Sequence, residues 1–196
     1  VSLAVAVAAA AAGRLPLYKY LSADARVLPV PQASLINGGL HAGNDLDIQE
    51  FCVMPTGAET FGESVRILCE IFYHLKDLLL GKLCKNATNS SEDVGFAPPI
   101  SSTRQAMDLL LEAVHRAAYS DKVVYGLDFA ATGFYNPEED HYNFEGSQKT
   151  RDELIGFIKQ LLGDYPSIVS IEDPLHENDL EGMKILTQEF GDHLVI

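Results

Sequence analysis

Apolar residues recur along this chain at two spacings, which predict strands in some segments and helices in others. Short runs of β-branched and aliphatic residues at 123–129 and 168–171 are typical of buried strands, and each leads into an acid. A helical pattern at 151–162 lies between them. A right-handed βαβ crossover brings the carboxyl ends of two parallel strands to one edge of a sheet, so we predict that Asp128 and Glu172 lie at the same edge. Binding sites of α/β proteins are built at such edges.

The remaining patterns complete a strand, strand, helix, helix, strand, helix, strand, helix, strand order. Helices are predicted at 1–12, 61–83, 102–117, 151–162 and 180–190, and strands at 33–36, 48–55, 123–129, 168–171 and 194–196. In the longest helix, a stripe spaced by three and four residues is predicted to face the core: Val65, Leu68, Phe72, Leu75 and Leu79. Residues 15–21 and 85–99 are predicted as loops, and 134–147 as a loop with a hairpin.

Composition narrows the classes of partner. The chain is 47% hydrophobic and 21% charged, which is typical of a globular protein, and its formal net charge is −14. Such a charge disfavours nucleic acid or an anionic membrane as a partner. Three cysteines without tight spacing indicate neither a zinc motif nor a disulfide framework. The apolar start at 1–12 is too short to span a bilayer, so we expect a cytoplasmic protein with no membrane span.

Five motifs occur in a fixed order along the chain. They are Ile36–Asn44 (INGGLHAGN), Gln49-Glu50-Phe51, Gly95-Phe96-Ala97-Pro98, Leu127–Ala131 (LDFAA) and Ser170–Pro174 (SIEDP). Together they resemble the enolase (phosphopyruvate hydratase) family over nearly the whole chain. The resemblance implies an α/β fold, an incomplete enolase-type TIM barrel with a ββαα start, whose N-terminal domain and last part of the barrel are missing. It assigns 1–25 to the end of the N-terminal domain and its linker, and 26–196 to the first part of the barrel domain.

The resemblance also implies a reaction. Enolases are lyases that dehydrate 2-phosphoglycerate to phosphoenolpyruvate with Mg²⁺ in glycolysis, run the reverse in gluconeogenesis, and usually form homodimers. Removing a proton next to a carboxylate creates a dianion that needs clustered positive charge, and Mg²⁺ prefers hard oxygen ligands. Carboxylates at strand ends are suited to hold such a cation.

Residue by residue, the resemblance assigns roles to four side chains. Asp128 and Glu172 match two of the three protein ligands of the first Mg²⁺, and Glu172 also lies near the substrate. His41, in the glycine loop, matches a histidine that approaches the substrate phosphate, and Glu50 matches a glutamate near the substrate hydroxyl. Without the resemblance, these residues would be interpreted as capped strand ends, an exposed histidine and a surface strand residue. Asp173, which follows Glu172 directly, is interpreted as structural.

The expected proton donor lies in an acidic pair before Gly95, and here this chain departs from the family pattern. The family usually has Asp, Glu and two glycines, whereas this chain has Glu92, Asp93, Val94 and Gly95. Asp93 therefore occupies the donor position with a shorter side chain, and Glu92 is the other candidate. Val94 replaces a glycine and would be strained if that position needs a positive φ.

Two alternatives to an active enolase remain open at this point. The resemblance places the third metal ligand and the general-base lysine beyond Ile196, so we expect no activity from these 196 residues alone. The swapped acids favour a catalytically impaired enolase-like protein that acts as a binding or structural partner. A sugar-acid lyase of the wider superfamily is disfavoured, because the glycine loop resembles that of enolase proper.

Overall fold

The computed structural model of the protein describes residues 1–92 and 94–196, and its centre is a four-stranded mixed sheet. The strands are β1 (Ala33–Asn37), β2 (Glu50–Met54), β3 (Val124–Asp128), β4 (Tyr135–Asn136), β5 (His141–Phe144), β6 (Ser147–Lys149) and β7 (Ile168–Glu172). The central sheet has the order β1-β2-β3-β7, and β4, β5 and β6 form a small second sheet. The pairs β1–β2 and β2–β3 are antiparallel, whereas β3 and β7 are parallel as predicted.

Helices cover the sheet and connect its strands. They are α1 (Ser2–Ala12), α2 (Leu17–Leu21), α3 (Phe61–Lys82), α4 (Thr103–Arg116), α5 (Arg151–Asp164) and α6 (Leu180–Phe190), with 3₁₀ turns at Gly39–His41, Lys85–Thr88 and Ala131–Phe134. The predicted order of the main elements is confirmed up to α6, whereas of the strand predicted at 194–196 only Val195 pairs, in an isolated parallel bridge with Ser170. The loop prediction for 15–21 was wrong in part, because 17–21 forms a short helix, and the predicted hairpin gains a third strand.

The core-facing stripe of α3 was predicted correctly except at its start. Leu68, Leu75 and Leu79 are buried, but the Val65 side chain is 42% exposed, and Ile67 and Ile71 are buried instead. The buried residues of α3 are themselves spaced by three and four residues, and their face is centred near Ile71 and Leu75. Val65 lies at the margin of that face and is therefore partly exposed.

Phe72, the central residue of the predicted stripe, is partly buried against the core and links α3 to a loop. Its ring stacks on the ring of Phe96, with centroids 4.4 Å apart. Phe96 forms a parallel bridge with Ile36 of β1. The loop that precedes Phe96 is therefore held between α3 and the outer edge of the sheet.

The crossover from β3 to β7 is fixed by the start of α5. Thr150 and Glu153 form a capping box, in which the Thr150 hydroxyl accepts from the Glu153 N–H and the Glu153 carboxylate accepts from the Thr150 N–H. Leu154 and Ile158 are fully buried against the core. The packing of α5 on the core holds the connection between β3 and β7, which pair in parallel.

In the described part of the chain, no helix combines the length and the apolar character that crossing a membrane would need.

Candidate active site

Four polar side chains form one row across the edge of the central sheet. In the strand register, Asn37 is the partner of Glu50, Glu50 of Asp128, and Asp128 of Glu172. Strand β2 runs against its neighbours, so its first residue lies at the same edge as the last residues of β1, β3 and β7. The predicted meeting of Asp128 and Glu172 is confirmed, and Glu50 lies in the same row.

Asp128 is the most buried carboxylate of the row, at 9% exposure. One carboxylate oxygen, Oδ1, accepts from the Ala130 N–H at 2.9 Å, and Oδ2 accepts from Gln49 Nε2 at 3.1 Å. Burial, and to a smaller extent the charges of Glu172 and Glu50, raise the pKa of Asp128 to about 6. The ionised form is therefore unfavourable here until a positive charge approaches.

The backbone makes the same kind of turn after β3 and after β7. Ala130 has φ +46° and Asp173 has φ +42°. The Phe129 N–H donates to the Glu172 carbonyl at 2.9 Å, and the Ala131 N–H donates to the Asp173 carbonyl at 3.0 Å. The structural interpretation of Asp173 agrees with this carbonyl contact, although the residue also lines the adjoining cavity.

Glu50 has an unusual donor within its own strand. The Cys52 thiol lies two residues further along β2 and donates to Glu50 Oε2 at 3.5 Å. Burial raises the pKa of Cys52 to about 12, so the thiol keeps its proton and remains a donor at neutral pH. This contact restrains the Glu50 carboxylate at the sheet edge.

The glycine loop between β1 and β2 needs glycine for a close backbone approach. A Cβ on Gly38 would lie 2.3 Å from the Leu46 carbonyl oxygen and 2.4 Å from that of Ile48. No other residue fits there, and the loop folds back tightly as a result. Its histidine, His41, is exposed, and its Nδ1 lies 3.4 Å from Glu92 Oε2. The structure thus brings His41 to the acid loop (89–98).

The acid loop is strained at the position that the sequence singled out. Val94 has φ +72°, a left-handed conformation that is rare for a β-branched residue, and this confirms the concern about replacing a glycine there. Glu92 is exposed and contacts His41. Asp93 lies outside the described residues, so its predicted role as donor is not addressed by the geometry.

A cavity of about 850 Å³ opens beside the glycine loop. Its acidic lining consists of Asp45, Asp47, Glu145, Asp173 and Glu177, and its apolar lining includes Leu40 and Phe134. Burial raises the pKa of Asp47, whose Oδ2 accepts from the Glu145 N–H at 2.6 Å. A cavity of this size accommodates a small ligand, and its acids give it a negative potential.

The two predicted metal ligands lie next to each other at the sheet edge. Asp128 and Glu172 are register partners, and both offer hard oxygen ligands. Across residues 1–92 and 94–196, however, no group of three or more His, Cys, Asp and Glu side chains is arranged to hold a metal ion. The described residues include two of the expected ligands, but they do not form a complete metal site.

Sequence reasoning missed the two amides that organise this edge. Gln49 donates to Asp128, and Asn44 donates to the carbonyls of Asn37 and Pro98. Both amides belong to the conspicuous motifs of the sequence, but their residue types carry no charge. A search for acids and histidines therefore passes over them.

Comparisons with known proteins identify the family of the chain. The family model of the enolase C-terminal TIM barrel domain matches residues 25–196. The chain is 50% identical to the enolase of Methanocaldococcus jannaschii over 196 residues, which is the whole chain and 46% of that relative. It is 46% identical to the enolase of Pyrococcus furiosus over 97% of the chain and 45% of the relative. It is 43% identical to that of Thermococcus kodakarensis, over the whole chain and 46% of the relative.

The chain spans less than half the length of these curated relatives. The incomplete barrel expected from the sequence is confirmed in this sense, and the mixed ββαα start of the sheet agrees with it. On its fold, its motifs and its relatives, the chain belongs to the enolase family, within the C-terminal TIM barrel domain.

Proposed function

We propose that the full-length gene product is a hydro-lyase that interconverts 2-phosphoglycerate and phosphoenolpyruvate, as enolases do. The observation that carries the proposal is the row of Glu50, Asp128 and Glu172 at adjacent register positions. It occurs in a chain that is 50% identical to a relative named enolase. The relatives do not favour the alternative of an impaired binding or structural partner.

We propose that Asp128 and Glu172 hold a Mg²⁺ ion. The chemistry of the pair supports this, because a buried carboxylate among other acids is stabilised by a hard cation. Neither residue forms an ion pair with Lys or Arg in the described part of the chain, so their charge is not already neutralised. The bound metal would supply positive charge for a carboxylate dianion. A third ligand and the general-base lysine are expected from residues outside this sequence.

The remaining proposed roles belong to Glu50 at the start of β2 and to residues of the glycine loop and the acid loop. Glu50 lies in the acid row and would contact the leaving hydroxyl, with its carboxylate restrained by the Cys52 thiol. His41 would bind the substrate phosphate from the glycine loop. Asp93 is the proposed donor of the proton to the leaving group, and Glu92, already in contact with His41, is the second candidate.

The coarser context of the protein is also a proposal. We propose that 1–25 belong to the end of an N-terminal domain and its linker, and 26–196 to the barrel domain. We further propose a cytoplasmic homodimer without a nucleic-acid partner, and the net charge of −14 supports the last of these points because it disfavours binding to a polyanion.

The test uses the full-length gene product, purified with its intact mass measured. Formation of phosphoenolpyruvate from 2-phosphoglycerate is followed by ultraviolet absorbance, first with Mg²⁺ and then after chelation. We expect turnover that is lost on chelation and restored by added Mg²⁺. A full-length protein that binds Mg²⁺ but does not turn over would overturn the enzyme proposal and favour the impaired alternative. Turnover that survives chelation would overturn the metal assignment.

A further inference from the structure

We propose that Asn44 is a positioning residue, which clasps the glycine loop (38–47) to the acid loop so that the two loops move as one unit. The kinetic part of this inference rests on the proposed function, whereas its structural part does not. Nothing in the charge pattern of the sequence points to Asn44, and its role emerges from hydrogen bonds.

The clasp is a single side-chain amide with two acceptors. Asn44 Nδ2 donates to the Asn37 carbonyl at 3.0 Å and to the Pro98 carbonyl at 2.9 Å. The first acceptor is the last residue of β1, and the second lies in the acid loop. An amide has two N–H donors, so this geometry uses both of them. Asn44 Oδ1 accepts from the Leu46 N–H at 3.4 Å and completes the turn.

Asn37 forms the other half of the junction. It is fully buried, its N–H donates to the Phe96 carbonyl at 2.8 Å, and its Nδ2 donates to Ser34 Oγ at 2.9 Å. Its Oδ1 has no hydrogen-bond partner in the described chain and faces Gly95, where an added Cβ would lie only 1.8 Å away. The acid loop therefore rests against Asn37 at the same place where Asn44 reaches across.

The far ends of both loops carry the functional side chains. His41 precedes Asn44 in the glycine loop, and Glu92 precedes Gly95 in the acid loop. Their 3.4 Å contact spans the gap between the loops. This contact is exposed, and an exposed pair is too weak to hold two loops together on its own. The half-buried amide clasp, with two hydrogen bonds from one side chain, is the stronger connection, and we infer that it sets the distance between His41 and Glu92.

Hydrogen exchange tests the structural claim without any reference to activity. Asn44→Asp keeps the shape of the side chain, removes both N–H donors and places a carboxylate against two carbonyl oxygens. We expect amide exchange to rise about tenfold in both 39–47 and 89–98, while the core strands are unchanged. Asn44→Ala is the milder second variant. Asn86→Asp, at an exposed position outside both the clasp and the proposed machinery, is the matched control. Faster exchange in the glycine loop alone would overturn the coupling.

Steady-state kinetics test the consequence for catalysis in the full-length protein. For Asn44→Asp, we expect kcat to fall by roughly 10- to 100-fold and KM for 2-phosphoglycerate to rise, because both loops shift relative to the substrate. A purely structural role would lower kcat in proportion to the folded fraction and leave KM unchanged, and that result would overturn the positioning role. If the unsubstituted protein shows no turnover, the proposed function fails, and the exchange experiment alone decides the role of Asn44.

Discussion

The acids of this protein fall into two groups that differ in their partners. On the outer helices, Glu112 is held between two cations, with Lys82 bonded to Oε2 and Arg116 Nη2 2.6 Å from Oε1. The hydrogen bond from Lys82, and then the one from Arg116, lowers the pKa of Glu112. The same pattern recurs at Glu70, whose pKa is lowered by hydrogen bonds from Tyr119 and Arg66.

At the sheet edge, the same residue types meet one another instead of cations. Asp128 has a raised pKa, and neither it nor Glu172 is paired with Lys or Arg in the described ranges. The net charge of −14 thus hides a division between neutralised acids on the helices and the pair of Asp128 and Glu172 at the strand ends, which has no Lys or Arg partner in the described ranges. The comparison teaches that the total charge does not locate a cation site, whereas the position of acids without a basic partner does.

Removing an acid from the sheet edge should lower turnover strongly, whereas removing an acid from the helices should leave turnover unchanged. Asp128→Ala or Glu172→Ala in the full-length protein should lower Mg²⁺-dependent turnover by more than about 100-fold, since losing a ligand exceeds the roughly 10- to 100-fold cost of losing an outer partner. Glu112→Ala is the matched control and should leave kcat/KM unchanged. Steady-state turnover of 2-phosphoglycerate measures all three. Unchanged turnover in either edge variant would contradict the ligand assignment.

Lengthening the acid that the family resemblance assigns to the donor position should give the next largest effect. If the shorter side chain at the donor position is a defect, Asp93→Glu should raise kcat by up to roughly 100-fold, the effect of a misplacement of about 1 Å. The exposed Glu138→Asp, in the loop between β4 and β5, is a control in the opposite direction and should have no effect on kcat. No gain from Asp93→Glu would indicate that Glu92, or neither acid, acts as the donor.

Glycine positions provide a test of packing in the two regions. Gly95→Ala at the edge would place a Cβ 1.8 Å from Asn37 Oδ1 and 3.1 Å from the Ser34 carbonyl oxygen. We expect a loss of about 1–3 kcal/mol in the free energy of unfolding, measured by urea denaturation. Gly163→Ala on α5 meets nothing within 4 Å and should gain about 0.5–1 kcal/mol. Equal effects at the two positions would show that the acid loop yields easily and that Asn37 does not fix it.

The last expected difference is in how the free energy of unfolding depends on pH when no metal is present. The pKa of Asp128 is about 6 in the folded protein, against 3.8 ordinarily, so the folded state holds its proton more tightly. The carboxylate therefore costs stability above pH 6, and the cost disappears as pH falls below the ordinary value. Asp128→Asn should raise the free energy of unfolding by roughly 1–3 kcal/mol near neutral pH and by almost nothing at acid pH.

Urea denaturation across this pH range, with chelator present, measures the difference. Asp77→Asn, at an exposed position on α3, is the control and should show no such trend. A stabilisation that is equally large at acid pH would mean that packing, and not ionisation, explains the effect of Asp128→Asn.

Sequence alone predicted the architecture well because apolar periodicity and chain order determine it. The βαβ unit that joins β3 to β7 and the meeting of Asp128 with Glu172 follow from hydrophobic runs and the handedness rule. The antiparallel entry of β2 did not follow from periodicity, since a buried strand has the same pattern in either direction. The family resemblance supplied the ββαα start, and the direction of β2 became known only from the structure.

The charged residues of the site could be predicted from the sequence, but the amide side chains that hold them in place could not. Glu50, Asp128 and His41 stand out by residue type, and the positive φ of Val94 could be anticipated from the replaced glycine. The roles of Gln49 and Asn44 depend on which carbonyls and carboxylates the fold brings within 3 Å or so of an amide. Such contacts between distant residues have no periodic signal in the sequence.

The antiparallel pairing of β1 with β2 also has a consequence for folding order. It assembles Asn37, the glycine loop and Glu50 from one continuous segment of the chain, with little loop-closure entropy to overcome. The parallel pairing of β3 with β7 instead requires the whole α5 crossover to dock first, and non-local contacts of that kind form slowly. We therefore expect the β1–β2 side of the edge to form early during refolding and the β3–β7 side to be completed last, an order that pulsed hydrogen-exchange labelling would resolve.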